Sequence, residues 1–349
     1  MTGAELGRSA ALAYRASIHD LEQPVATPLD CGVLDVGVQD TPPGTTAGPA
    51  IRARVRSPGD LALSPGLALV HSLRGAMHVH RARDLPLLVA ALRPEDADDG
   101  GAVDQVAEAM IEVLSDDAPR TKGELSTEIT GILPPPIRPW CQVCRVDHVD
   151  DGLFRMATLP AGLQLRPVGH RSAGFFRVTL PSVAEPAPAR RELLRRFLRR
   201  CGPTCPKDLA AWIGITPAIA RRWWELLADE LVEVRVDGKR LWMHTEDLAV
   251  ARAAAAPTAV WLLPPYDPLV EVTNRELLLT DKERRQQLWR AVANPGAVLL
   301  AGDVIGTWRR RRKVITVCAF KPFSTAQQRM VQAAAVHAAS DEIEVRFSG

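Results

Sequence analysis

The chain has 349 residues, 46% of them hydrophobic and 24% charged, with 43 basic and 41 acidic side chains and a net charge of +2. That much apolar material excludes disorder as the main state, and six cysteines in so long a chain do not make a disulfide framework. The length predicts two or three domains. Glu5 and Arg8 interrupt the N-terminus, so no signal peptide is expected. The longest apolar stretch, residues 256–266, is short and contains prolines, so no membrane span is expected and the cytoplasm is the expected compartment.

In chain order, residues 6–16 and 30–38 read as helices. LALVHSLRG and AMHVHR then alternate about Arg74-Gly75 like a hairpin. Only Tyr14 among aromatics precedes Trp140, so the first third is expected to pack an aliphatic core of its own. Residues 103–114 read as a helix, and Thr121 with Glu124 as the capping box of the next. After the Pro-rich break at 134–136, FRMATL and LQLRP look strand-like on either side of Pro160-Ala161-Gly162. The clearest stretch follows. In ARRELLRRFLRRC, Leu193, Leu194, Phe197, Leu198 and Cys201 form one helical face. Gly202-Pro203 ends that helix, Pro206 opens a second that Gly214 stops, and Thr216 with Pro217 opens a third. VEVRVDGKRLWMH is then a hairpin with a type I′ turn at Asp237-Gly238. Three helices and a two-stranded ribbon predict a winged helix. From residue 258 the pattern turns to short β-rich runs, with one helix over 281–289 and another over 326–339 capped by Ser324-Thr325. The expected fold class is α+β: tandem winged helix-turn-helix units over residues 1–94, 95–188 and 189–250, then a small β-barrel-like domain over 258–349.

Local charge points to a polyanion where net charge does not. Lys239 and Arg240 follow the hairpin turn, Arg221 and Arg222 sit on the third helix, and Arg309, Arg310, Arg311, Arg312 and Lys313 follow Trp308 without a break. Arginines on phosphates and an indole against bases would bind double-stranded DNA. In a strand, alternate side chains of this run face opposite sides, so about half would meet one ligand. DNA contact is the preferred reading, and the alternative for the same residues is a solvated face or a charge-blunted edge. His78 and His80 lie on one face of a strand and suit proton or water handling, or simply an exposed hairpin. Gln39-Asp40-Thr41 is a second polar cluster, before Pro42-Pro43-Gly44. Cys141, Cys144 and His148 offer three metal ligands without a fourth, so packing is expected there and no metal; no cofactor is expected either.

LALVHSLRGAMHVHRARDLPLL, PWCQVCRVDHV, LLRRFLRRCGPTCPKDLAAWIGI, LLPPYDPLV and LWRAVANPGAVLLAGDVIGTWRRRR, with their spacing, resemble actinobacterial winged-helix DNA-binding-domain proteins. That superfamily includes bacterial DNA glycosylases that excise bulky alkyl adducts and unhook interstrand crosslinks. The resemblance covers about residues 5–340 and implies tandem winged helices, a C-terminal β-barrel and a basic concave surface for duplex DNA. It also implies hydrolysis of N-glycosidic bonds through a motif of glutamine, an apolar residue, then glutamine or aspartate. Gln39 matches the first position; Asp40 stands at the second and Thr41 at the third. Met77-His78 matches the family's hairpin segment, with His80 beyond it and Arg74 at the rim for a phosphate. The catalytic set implied is thus Gln39, Asp40, His78 and His80, acting on alkylated or crosslinked bases in a monomer. The alternative expectation is a non-catalytic DNA-binding protein or transcriptional regulator.

Overall fold

The computed structural model describes residues 4–42, 44–56, 65–168, 172–180, 183–271, 274–339 and 343–348. It is a mixed α+β protein with several small sheets. The chain divides into two compact units, one of Met1–Gln39, Thr45–Ser64 and Leu194–Gly349, the other of Asp40–Gly44 and Pro65–Leu193. Among the described residues no helix is long and apolar enough to cross a membrane.

In the first unit, Leu194, Phe197, Leu198 and Cys201 of the helix Pro186–Cys201 are buried, the face the spacing predicts. Phe197 stacks on Trp212 of the helix Pro206–Ile213, ring centroids 4.8 Å apart. That helix ends at Gly214, whose φ of 91° is the left-handed cap glycine favours. Thr216 caps the helix Pro217–Glu225 by accepting from the Ile219 N–H. The strands Leu231–Val236 and Lys239–His244 pair antiparallel around Asp237 and Gly238, both at positive φ, as a type I′ turn requires. Ala4–Glu5 adds a parallel third strand, and Thr204 exchanges two backbone hydrogen bonds with Trp242. Arg15 is buried and donates to the carbonyls of Cys201 and Pro203, so one side chain closes the end of the long helix.

Residues 30–38 are not the expected helix. Two 3₁₀ turns, Pro28–Asp30 and Gly32–Asp35, lead into a short strand, Val38–Gln39. Val33, Leu34, Val36 and Val38 are all buried, and an apolar run buried on every side has no period to read. Gly32 lies under the Arg200 guanidinium, where a Cβ would meet its atoms at 2.2–2.3 Å, and Arg200 pairs with Asp35 at 2.8 Å.

The C-terminal sheet orders its strands Val260–Leu263, Gly296–Leu300, Asp303–Arg311, Val314–Ala319 and Glu344–Ser348. The expected barrel does not close: the end strands each have one neighbour among the described residues. The helix Thr325–Ala339 packs Val331 and Ala335 into a core with Val260, Leu262, Val298, Ile315 and Val317, so a helix covers the face that closure would have enclosed. The helix expected over 281–289 is present as Lys282–Leu288, capped by Asp281, and two short helices that were not expected, Pro268–Glu271 and Arg275–Leu278, precede it.

In the second unit, the hairpin Leu67–His71/Met77–Arg81 forms in the expected place, followed by helices Leu85–Leu92, Ala97–Val113 and Lys122–Ile132. Thr121 and Glu124 make the expected capping box. FRMATL is helical, not extended. Asp150 accepts from the Gly152 and Leu153 N–H groups and starts the helix Asp151–Thr158, which buries Phe154, Ala157 and Thr158 at i, i+3 and i+4. The hairpin Leu163–Val168/Ser172–Arg177 closes the segment, with Arg120–Thr121 as third strand.

Candidate functional site

Gln39 ends the short strand Val38–Gln39 and is half-buried. Its carbonyl accepts from the Thr46 hydroxyl at 2.7 Å, at the start of the helix Ala47–Arg52. The backbone at Gln39 is thus held by hydrogen bonding rather than by a helix end. Asp40 is 4% exposed, donates its N–H to the Met77 carbonyl at 2.9 Å, and accepts the Gly44 N–H on Oδ2 at 2.5 Å. Its carboxyl group therefore closes a turn, and its backbone is bonded to the strand that carries His78.

His78 and His80 are 3% and 1% exposed, which corrects the exposed-hairpin expectation. Opposite them in the register stand Val70 and Ala68, both buried, so the imidazoles share an apolar face. Ser72 joins them, its hydroxyl 3.2 Å from His78 Nδ1 and 3.0 Å from His80 Nε2. His78 Nδ1 also lies 3.0 Å from the Ala76 carbonyl. One proton assignment satisfies all three contacts. Nδ1–H of His78 donates to Ala76 and Ser72, and the Ser72 O–H donates to His80 Nε2. Burial, then the neighbouring His80, holds His78 well below the usual histidine range. A buried neutral imidazole cannot serve as a phosphate cation. Ser72, unremarkable in LALVHSLRG, is the part that sequence reading missed. Arg74 stands exposed at the tip of the turn with φ 56°.

Burial, then Arg155, likewise lowers His71 from 6.5 to about 4. The unfolded chain binds these protons first as pH falls, so stability is complete above pH ~6.5 and declines through the interval down to the folded pKa. His71 alone contributes about 2 kcal/mol to the loss between pH 7 and pH 5. Urea unfolding at those two pH values should show it, and His71→Leu should shrink the difference. An equal difference in the variant would assign the acid sensitivity to other groups.

The basic residues fare unevenly. Arg221 and Arg222 are exposed on their helix. Lys239 pairs with Glu276, and Arg240 pairs with Glu233 at 2.6 Å while lying over Trp242, 5.0 Å from its centroid. Of the six arginines in residues 190–200, Arg190, Arg195, Arg199 and Arg200 hold ion pairs with Glu95, Glu230, Glu246 and Asp35. These pairs leave that helix less phosphate-binding capacity than its composition suggests. The strand Asp303–Arg311 ends before the run does, and Arg312 turns at φ 56° toward Lys313, so alternation applies only to Arg309, Arg310 and Arg311. Arg309 and Arg311 face the side of exposed Thr316, whereas Arg310 and Trp308 face the side of buried Ile315 and Val317. All five cations are exposed; Arg309 and Arg310 bond the backbone carbonyls of Ala293 and Arg312. The Trp308 indole donates to the Leu263 carbonyl at 2.8 Å and packs in the sheet core, which ties it down as a structural side chain.

Cys141, Cys144 and His148 do not pack in a core as expected. Cys144 is exposed, the other two are half-buried, and their ligand atoms all lie within 4.8 Å of one another. The Cys144 N–H, foremost, brings the Cys141 thiol down to about 7.

The family described as DNA glycosylase AlkZ-like matches residues 35–343. The chain is similar to the interstrand DNA cross-link repair glycosylase of Streptomyces sahachiroi, at 25% identity over 172 residues. That match takes in 48% of this chain and 46% of the relative, about half the length of each. The solved structure of Streptomyces sahachiroi DNA glycosylase AlkZ has a similar fold, with a TM-score of 0.77 at 20% identity over 99% of this chain and 100% of that one. With the family match extending over most of its length, this chain belongs to the AlkZ-like DNA glycosylase family.

Proposed function

We propose that this protein binds duplex DNA as a monomer and hydrolyses the N-glycosidic bond of alkylated or crosslinked bases. The observation that carries the reading is the family match through Gln39 and the hairpin of His78 to the basic strand. In this reading the chain is three successive winged helices and a C-terminal sheet domain, over residues 1–94, 95–188, 189–250 and 258–349. The Thr204–Trp242 bridge and the Arg120–Thr121 strand support it, because each inserts an extended segment between first and second helices and pairs it with the hairpin.

The bond from C1′ to the base nitrogen breaks with its electron pair leaving on the base. Alkylation has already made that nitrogen electron-poor, so the base departs neutral and the sugar becomes cationic. The Gln39 carboxamide oxygen orients water toward C1′, and the Asp40 carboxylate offsets the sugar's charge and takes the water's proton. His78, Ser72 and His80 are positioning residues, keeping rigid the strand to which Asp40 is bonded. An adduct protruding from the groove presents its bond without full extrusion of the base. Arg221, Arg222, Lys239, Arg240, Arg74 and the run from Arg309 to Lys313 supply phosphate contacts. The test is release of base from alkylated duplex DNA by purified protein.

A second reading, DNA binding without catalysis, is favoured by Thr41 in the motif's third position and by the Asp40 carboxyl group already accepting the Gly44 N–H. Tight binding of every alkylated duplex tried, with no base released, would establish it.

The basic strand gives a prediction common to both. Replacing Arg309 and Arg311 together by alanine should flatten the slope of log affinity against log salt by about one to two units, since each phosphate contact contributes ~0.9. A slope equal to wild type would remove this face from the interface.

A further inference from the structure

The segment between the second unit's helices Lys122–Ile132 and Asp151–Thr158 is a ribbon of two strands of two residues, Trp140–Cys141 and Val146–Asp147. So short a pair does not hold itself together in water. Nor has it a core: Trp140, Val143 and Val146 are 61%, 92% and 51% exposed. Its geometry is nevertheless tightly specified. Arg145 takes φ 57° so that its N–H reaches the Cys141 carbonyl at 2.7 Å, and the Cys144 N–H points at Cys141 Sγ, 3.5 Å away. His148 donates its backbone N–H to the Pro139 carbonyl at 3.3 Å, which brings its ring back beside the turn.

The imidazole supplies the deciding observation. Nδ1–H donates to the Val149 carbonyl at 2.7 Å, which leaves Nε2 as the lone-pair nitrogen. Nε2 is buried without a well-formed hydrogen bond, and the side chain that interacts with the imidazole is the Cys141 thiol. A buried acceptor left unsatisfied costs about 1–3 kcal/mol. The same arrangement, with one ring nitrogen bonded to a carbonyl and the other presented to a soft site, is how a metal-binding histidine is oriented. Cys141 Sγ, Cys144 Sγ and a His148 ring nitrogen lie within 4.8 Å of one another, and no other group of three such residues comes together among the described residues.

We propose that Cys141, Cys144 and His148 bind a zinc ion, with water as the fourth ligand. Two thiolates and an imidazole select zinc over calcium or magnesium, which prefer oxygen. Binding breaks two S–H bonds and releases both protons, and the two thiolate charges cancel that of the ion, so the occupied site carries no net charge. Its work is structural: the ion joins both ends of the ribbon and fixes the approach of Val149 and Asp150 to the helix Asp151–Thr158. The proposal is independent of glycosylase activity.

Metal analysis of protein purified without chelator should find one equivalent of zinc per chain. Cys144→Ser and His148→Ala should lose it while keeping the wild-type far-ultraviolet circular dichroism. Exchange with cobalt should give the thiolate-to-metal absorption band and the intense visible bands of a four-coordinate site, both lost in Cys144→Ser. Protein stripped with chelator should become cleavable by protease within residues 139–149, and added zinc should restore protection. Zinc well below one equivalent together with no cobalt–thiolate band would overturn the proposal. So would a Cys141–Cys144 disulfide in the freshly purified protein.

Discussion

Asp267→Ala should cost about 3–5 kcal/mol of folding stability, because it strands a buried guanidinium. Arg54 and Asp267 are both 0% exposed and meet through two bonds, Nη1 to Oδ2 at 2.8 Å and Nη2 to Oδ1 at 2.7 Å. Arg54 also donates to the His19 carbonyl at 2.9 Å and the Ala50 carbonyl at 2.7 Å, and Asp267 accepts the Leu269 N–H at 3.0 Å. Four of the guanidinium's N–H groups are bonded and both carboxylate oxygens accept, the kind of hydrogen bonding under which a buried ion pair is tolerated. Removing one partner leaves the other charged with neither water nor counter-ion. Arg54→Met with Asp267→Leu should cost much less than Asp267→Ala alone, since two apolar groups need no partners. Denaturant unfolding of the three variants checks this. An Asp267→Ala protein within 1 kcal/mol of wild type would mean that water reaches the pair. The pair also bears on the site: Ala50 lies in the helix that follows Thr46, the residue bonded to the Gln39 carbonyl. LLPPYDPLV is thus explained by what its aspartate holds.

Nothing within that motif pointed to Arg54, which lies 213 positions away. Residues 189–244 were legible because their signals are local: a Thr cap, a left-handed glycine and an Asp-Gly turn each act within a few residues. Residues 30–38 were not, because burial on all sides erases periodicity. FRMATL misled for the opposite reason. Its brief alternation outweighed Asp150, whose cap to Gly152 and Leu153 decides the matter. At the site, Gln39 and Asp40 came from resemblance, and the sharing of Ser72 by two histidines appears only once the hairpin register is known. The cation after the hairpin turn reads as free for phosphate because Glu276, 37 positions beyond Lys239, gives no sign in the sequence of being its partner.

Gln39→Ala should lower single-turnover release of an alkylated base by about 10²-fold or more, the scale of losing a group that positions the attacking water. The backbone argues that the loss would be chemical. Thr46 bonds the Gln39 carbonyl, which alanine retains, and the side chain is only half-buried. Asp40→Asn should cost a similar factor for a different reason. Asparagine's Oδ1 still accepts the Gly44 N–H, so the turn survives while the charge proposed to offset the sugar cation is lost. Asp40→Ala removes turn and charge together and is the poorer test. Affinity for undamaged duplex should match wild type in both variants, because phosphate contacts elsewhere carry binding. His78→Ala should behave differently, opening a cavity beside Ser72 and Val70 and lowering stability by about 1–3 kcal/mol before it affects chemistry. A rate loss in His78→Ala as large as in Gln39→Ala, at unchanged stability, would move the imidazole from a positioning role into the reaction.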